Sequence, residues 1–589
     1  MQLHTSEPHA SHKRDFSVDR RLLLLSALAV PIGALGTLAA WLLLTLIRLF
    51  TNLFFFQSLS VADRSPADHT LGAWVIAVPV LGGIVVGLMA RYGSEKIRGH
   101  GIPEAIEAIL FGKSRLSPKV ALLKPLSSGI AIGSGGPFGA EGPIIMTGGA
   151  IGSLLAQFIH LSAGERKALL VAGATAGMTA VFGTPVAAVL LGVELLLFEW
   201  RPRSLLPVML ACSVAGFTRP LLLGAGPLFP LQTPTPDGLA LISCVVAGLL
   251  SGLLSAALSR ALYAVEDAFH RLPVHWMWWP ALGGLAIGIG GWLQPRALGV
   301  GYDVIGDLLH HRLLLGAALA LLAAKAVMWV IALGSGTSGG VLAPLLMMGA
   351  GLGTALGGVM PGGDLLLWPL VCMAAVLAGV LGAPLTAATF AFGLTHDANA
   401  LLPLLLACAA SHGLSVMLMK RSILTEKIAR RGRHIYREYG VDPHERTHVD
   451  EVMTREVQTI PASSTLADAQ HRWFGPAQRH RAFPVVDDAG TLLGMLDRRT
   501  LQDALQARTA CAPLAQLYAA MPAAAAVARS HETCRAVAQR LASTGLERLP
   551  VVADLVSRRL IGVVSRSDLV KPAHAQFEEE GRREALIRF

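Results

Sequence analysis

The sequence predicts an all-α, polytopic membrane protein built from two related halves, followed by a small α/β unit that is itself duplicated. Three observations carry this. Of 589 residues 53% are hydrophobic and only 15% charged, too little polar surface for a soluble chain of this length. A glycine-rich pattern returns 201 residues after its first occurrence. From Val449 the composition becomes that of a soluble unit, in which one strand, turn and strand pattern occurs twice.

The chain begins with a polar tail, residues 1–20, ahead of its first long apolar run. That run is too long for a cleavable signal and its flanks suit an anchor, so it is expected to remain in place. Uncharged runs at 22–47, 71–90, 326–363 and 365–395 each reach the roughly 20 residues that cross a bilayer. Others are shorter and broken by Gly and Pro. Such helices survive in a bilayer only where protein or a water-filled cavity satisfies their backbone. A Pro- and Gly-rich linker, 216–237, separates two expected repeats, about 21–215 and 238–420.

The net charge of +10 sits at the borders of apolar segments, on Lys13, Arg14, Arg20 and Arg21 before the first and on Arg430, Arg431 and Arg433 after the last. No basic stripe with interleaved aromatics exists, so no nucleic-acid partner is expected. The positive-inside rule places both termini in the cytoplasm, and the chain is expected to be integral to the inner (cytoplasmic) membrane. Six scattered cysteines show neither metal nor redox spacing and read as small apolar residues. No metal and no required cofactor is expected.

Residues 133–143 read GSGGPFGAEGP, and Glu141 is the only ionisable group from Pro125 to His160 besides that histidine. An acid at membrane depth marks an ion pathway or a proton relay. Pro143 suits the first turn of a helix continuing through 144–158, and a helix start surrounded by glycines aims N–H groups at an anion. The echo at 334–344 reads GSGTSGGVLAP. It pairs Gly133, Ser134, Gly135, Gly139 and Pro143 with Gly334, Ser335, Gly336, Gly340 and Pro344, and Lys124 with Lys325. A second echo, GTPVAA at 183 and GAPLTA at 382, has offset 199. Glu141 has no counterpart, since Leu342 stands there. Matching Gly/Pro-broken segments in two halves point to a transporter or channel with its site where the halves meet.

Residues 421–447 turn charged and helical and lead out of the membrane. Beyond them, HRAFPVVDDAGTLLGMLDRRTL (480–501) matches LERLPVVADLVSRRLIGVVSRSDL (546–569), setting Pro484, Val485 and Val486 against Pro550, Val551 and Val552 and Gly494 against Gly562. Helix-compatible runs, 464–474 and 532–544, precede the two copies. This region resembles a tandem pair of CBS domains. The expected order is a membrane domain over 21–435, a linker at 436–447, CBS modules at 448–506 and 514–572, and a tail at 573–589.

With acid, repeat and CBS pair together, the chain resembles a CLC-family anion channel or transporter over about residues 21–572. The family's anion signatures GSGIP, GREGP and GxFxP read here GHGIP (99–103), GAEGP (139–143) and GVLAP (340–344). The resemblance implies an inverted-topology repeat, a homodimer with a pore in each subunit, and chloride or a similar monovalent anion as the cargo. It implies Glu141 as the gating glutamate. The implied anion-binding positions are His100, Gly101, Ile102 and Pro103, then Gly139, Ala140 and Gly142, then Gly340, Val341 and Leu342. Leu424 joins them, at the place where many relatives carry tyrosine in an SIYT-like stretch that reads SILT here. His100 stands where the family usually has serine, so both side-chain hydroxyls of the usual central site are absent.

Proton-coupled relatives place a further glutamate ten residues after a proline that corresponds to Pro185, and that position is Leu195, with Glu194 one before it. About 100° apart on a helix, the two should face differently. The sequence therefore leans towards a passive channel, with a chloride/proton antiporter as the alternative. Lys124 and Lys325 either supply a positive field that draws anions inward or snorkel or pair structurally. The resemblance to CBS pairs implies an adenine-nucleotide site, for which the second module offers Ser565 and Asp568, the latter to accept from ribose hydroxyls; in the first module Asp497 and Thr500 reverse that pattern, and a purely structural pair is the other reading. A divalent-cation channel would need clustered carboxylates. A membrane-embedded hydrolase would need a nucleophile with its base or an HExxH set, and neither occurs, so no enzyme is expected. A sensor working through its CBS pair would predict a degenerate pore, which the intact GAEGP opposes.

Overall fold

The structure is a computed structural model that describes residues 21–433, 435, 443–475, 478, 480–507, 510–519 and 526–581. The tail 1–20, with Lys13, Arg14 and Arg20, most of the linker and the segment 582–589 lie outside the described residues. The chain divides into two units near residue 435.

The first unit is two sets of eight helices in the same order. The first half runs α1 (Arg21–Phe56), α2 (Ala77–Tyr92), α3 (Ile102–Phe111), α4 (Pro118–Gly133), α5 (Glu141–Gln157), α6 (Ala163–Phe182), α7 (Pro185–Leu191) and α8 (Pro202–Leu223). The second runs α9 (Gly238–His270), α10 (Trp279–Leu293), α11 (Tyr302–Leu309), α12 (Leu315–Gly334), α13 (Leu342–Gly357), α14 (Leu367–Leu381), α15 (Pro384–Thr395) and α16 (Leu401–Leu418), after which α17 (Ile423–Arg430) closes the unit. The halves form an inverted-topology repeat. Long helices such as α1 and α9 present apolar side chains outward, whereas α14 and most of α6 are buried along their whole length. The short helices α5, α13 and α14 are thus wrapped by protein, which satisfies the broken backbone beside them.

Several breaks differ from the sequence expectation. The uncharged runs 326–363 and 365–395 are not single spans, because Gly336 and Gly382, both at positive φ, turn the chain between α12 and α13 and between α14 and α15. The expected linker begins eight residues late, since α8 continues to Leu223 through Gly216 and Pro220. Its remainder is tied to the end of α15: Phe229 and Leu231 donate to the carbonyls of Leu394 and Thr395, and buried Asp397 accepts from Thr233. In the charged run after the membrane part α17 ends at Arg430, with Gly432 (φ +80°) just beyond it, and Pro443–Arg446 forms a further helical turn.

In the second unit each module pairs a short parallel strand with an antiparallel hairpin. β1 (Ile460–Pro461), β2 (Ala482–Val486) and β3 (Leu492–Asp497) form one sheet, and β4 (Ala528–Arg529), β5 (Arg548–Val552) and β6 (Leu560–Ser565) the other. Pro484 faces Met495 and Pro550 faces Val563, and both sheets shift register at the same place, between Val485 and Val486 and between Val551 and Val552. Thr465 and Thr533 cap the helices Leu466–Arg472 and Cys534–Thr544 that pack beneath.

Candidate functional site

The glycine signatures of the two halves meet in the middle of the first unit. The Gly139 N–H donates to the Gly340 carbonyl (3.2 Å) and the Gly340 N–H to the Gly139 carbonyl (2.9 Å), an antiparallel bridge between positions that the 201-residue offset makes equivalent. Two further rungs flank it: Gly99 donates to the Gly336 carbonyl at 3.2 Å, and Gly299 to that of Gly135 at 3.0 Å. GHGIP reaches the same point, because a Cβ on Gly142 would collide with the His100 carbonyl oxygen and lie 3.3 Å from the Cα of Gly340. Only bare backbone fits there. Ala140, Ile102, Pro103, Val341 and Leu342 are all buried around it.

Glu141 opens α5 and is fully buried. Its side chain reaches across the bridge to the other half, where Oε1 accepts the Ala343 N–H at 2.9 Å in the first turn of α13. Oε2 has no hydrogen-bond partner among the described residues. A carboxylate on a helix N-terminus is favoured by the unpaired N–H groups and the dipole, which favour any other anion there equally. Seat and occupant come from opposite repeats.

Lys124 and Lys325 are also fully buried rather than snorkelling outward, and among the described residues neither pairs with a carboxylate. The Lys124 ammonium donates to the carbonyls of Ile97 (2.8 Å) and Gly99 (2.7 Å) and to Ser338 Oγ (3.0 Å). Lys325 does the same with Ala297 (3.1 Å) and Gly299 (2.7 Å). Each lysine therefore holds the Gly-x-Gly turn that leads into α3 or α11. These turns are a third repeat, GHGI at 99 and GVGY at 299, at offset 200, with Gly101 and Gly301 both left-handed at the helix start. Sequence reasoning missed it, and with it Tyr302, although the paired glycines were there to be read.

The two turns differ in what surrounds them. Arg98, beside Gly336, lies 4.5 Å from the Trp276 ring centre, whereas Leu298 occupies the equivalent place beside Gly135. His100 is 3% exposed and its Nδ1 has no hydrogen-bond partner among the described residues. It lines a cavity of about 810 Å³ with Arg98, Glu104, Lys427 and Arg431. There Glu104 at the start of α3 accepts from Lys427 (3.0 Å) and Arg431 (3.1 Å), so α3 is joined to α17 and the residue after it by ion pairs that the sequence did not announce. Leu424 is fully buried in the first turn of α17, beside Ile423, whose carbonyl accepts the Tyr263 hydroxyl at 2.5 Å.

Glu194 and Leu195 lie in a π turn, Gly192–Leu197, not in the regular helix expected. Leu195 is fully buried, and Glu194 Oε2 accepts from the N–H and the hydroxyl of Thr386 at the start of α15. The wider turn changes the angle between neighbours that an α-helix would set. In the second CBS module, Asp568 Oδ2 accepts from the N–H (2.8 Å) and hydroxyl (2.7 Å) of Ser565, and Lys571 lies 2.6 Å from Oδ1. Burial raises the Asp568 carboxyl, but the Lys571 and Ser565 hydrogen bonds outweigh it and hold it below the usual range. Asp497 Oδ1 accepts the Thr500 N–H at 2.7 Å.

Comparison with known proteins follows the same division. A family profile described as "Voltage gated chloride channel" matches residues 82–416, and one for the CBS domain matches 449–507 and 522–574. The "Voltage-gated ClC-type chloride channel ClcB" of Salmonella dublin is 31% identical over 422 residues, 70% of this chain and 99% of the relative. The "H(+)/Cl(-) exchange transporter ClcA" of Salmonella agona is 26% identical over 393 residues, 62% of this chain and 80% of the relative. Among solved structures, that of "a slow cyanobacterial Cl-/H+ antiporter" aligns with a TM-score of 0.61 at 22% identity, covering 70% of this chain and 99% of its own. That of "a eukaryotic CLC transporter" has the same TM-score at 19% identity and covers 93% of this chain and 98% of its own.

Proposed function

The chain belongs to the voltage-gated chloride channel family of membrane anion transporters and carries a CBS pair, and from that premise we propose that it is a passive anion channel gated by Glu141. One observation carries the gate: the Glu141 carboxylate occupies the first turn of α13, a seat whose chemistry suits a dehydrated halide as well as it suits a carboxylate. While Glu141 is seated the path is shut. When a proton neutralises it or an anion displaces it, the seat is free and the anion moves on. Binding through backbone N–H groups, without a lysine ammonium in contact, keeps the anion weakly enough held to leave. His100, Gly101, Ile102 and Leu424 line the approach from the other mouth.

Passive conduction is supported by Leu195, an apolar residue where proton-coupled relatives have an acid, and by the engagement of neighbouring Glu194 with Thr386. Chloride/proton exchange is the second reading, because Glu141 itself can carry a proton. The test is reconstitution in liposomes with a chloride gradient at fixed potential. A channel moves chloride and drives no protons, whereas protons driven uphill would make the chain an exchanger. Glu141→Ala is expected to keep anion flux and lose its pH dependence, and a pH profile unchanged by that substitution would reject the gate.

A further inference from the structure

Glu141 must go somewhere when it leaves α13. A carboxylate withdrawn from a helix start into a buried site without a donor pays a heavy desolvation cost, so the displaced state needs a partner if it is to be populated before protonation. Most charged groups on the elements packed against α5 and α13 are otherwise engaged. Lys124 and Lys325 are held by carbonyls, Arg21 pairs with Glu165, Arg48 with Asp63, and Lys167 with Glu199. Arg166 donates to the Leu161 carbonyl and Arg260 to that of Leu418, Glu104 is shared by Lys427 and Arg431, Asp267 pairs with Arg430 and Asp307 with Arg296. Among the described residues no hydrogen bond or ion pair joins Lys119, Glu266 or Asp303 to the carboxylate, and Glu107 lies with Arg431 and Arg433.

Tyr302 differs from all of these. It is the first residue of α11, and its neighbour Gly301 packs against Met347 of α13. Its ring stands edge-on to Phe182 (6.3 Å) and Phe229 (6.2 Å), which fix its direction. Its hydroxyl is buried with no hydrogen-bond partner among the described residues, and its helix packs on α13, whose first turn holds the Glu141 carboxylate. A buried hydroxyl left without a partner costs stability, and such a group in a native fold calls for a reason. In the other half the equivalent position is Ile102, so the repeat itself does not require an oxygen there.

We propose that the Tyr302 hydroxyl is the second seat of the Glu141 carboxylate, the donor it takes up when an anion displaces it from the first turn of α13. Tyr302 is then a positioning residue that acts through Glu141. It makes displacement by an anion accessible while the carboxylate is still charged. This rests on Glu141 being the gate.

Tyr302→Phe keeps the ring between Phe182 and Phe229 and removes the oxygen alone. Chloride flux from liposomes is measured against pH and chloride concentration for the unmodified chain, Tyr302→Phe, Glu141→Ala and the double variant. Losing one charge-assisted hydrogen bond in the displaced state is expected to raise the chloride concentration for half-maximal flux roughly tenfold at neutral pH. Flux at acid pH, where a proton frees Glu141, is expected to change much less. In the Glu141→Ala background the substitution is expected to change nothing. Unaltered chloride and pH dependence, or the same fold-change with and without Glu141, would overturn the second seat while leaving the gate in place. A Glu141→Ala variant that retains its pH profile would remove both.

Discussion

Gly142 sits where the carbonyl of His100 and the backbone of Gly340 leave no room for one added carbon, so a methyl group there must push two signature turns apart. Overpacking of this kind typically costs about 1–3 kcal/mol. Gly142→Ala is expected to lower the melting temperature by several degrees in detergent and to abolish most flux. Gly306→Ala, on the open side of α11 with nothing within 4 Å, should leave both unchanged. Equal behaviour of the two variants would contradict the close approach. Position 142 was legible in the sequence as a signature glycine, but the partner that makes it necessary was not. A carbonyl 42 residues away leaves no mark on composition.

At the scale of elements, the lysines on α4 and α12 act through the turns they hold. Lys124→Met would strand the carbonyls of Ile97 and Gly99 and remove a donor to Ser338, which lies in the other half and also bonds Ser128 at 2.9 Å. Each buried acceptor left alone costs about 1–3 kcal/mol. Lys325→Met strands carbonyls of its own half and has no such serine. Thermal unfolding is therefore expected to show Lys124→Met as the more destabilised of the two, and the opposite order would show that the tie between halves contributes nothing. The repeat was readable in α4, α5, α7 and their partners because Gly, Ser and Pro recur in fixed order there. It was not read in α3 and α11, where two glycines among apolar residues shift by one position. Nor was the π turn at Glu194 readable, since no residue type announces a widened turn. Gly216 and Pro220 looked like a linker, yet both lie inside α8, Gly216 half-buried and Pro220 exposed in its last turn.

For the molecule as a whole, the length of α15 and of the α7 segment bears on assembly. Pro384–Thr395 and Pro185–Leu197 are too short to cross a bilayer, yet Leu385 and Val186 are 49% and 66% exposed in their first turns. Helix starts carry unpaired N–H groups that lipid cannot satisfy. We infer that a second copy covers this face, in keeping with the dimer that the family resemblance implies. The particle purified in mild detergent is expected to have twice the mass of the chain after subtraction of detergent, and a monomer that conducts would refute this.

The bridge between Gly139 and Gly340 joins the halves with main-chain atoms only, so no side-chain truncation can cut it. A scan that trims residues to alanine would pass through this junction and report nothing but an intolerance of bulk. The converse holds over evolutionary time: the halves are free to drift apart in nearly every side chain and still close on each other, provided two hydrogens remain where two side chains would be.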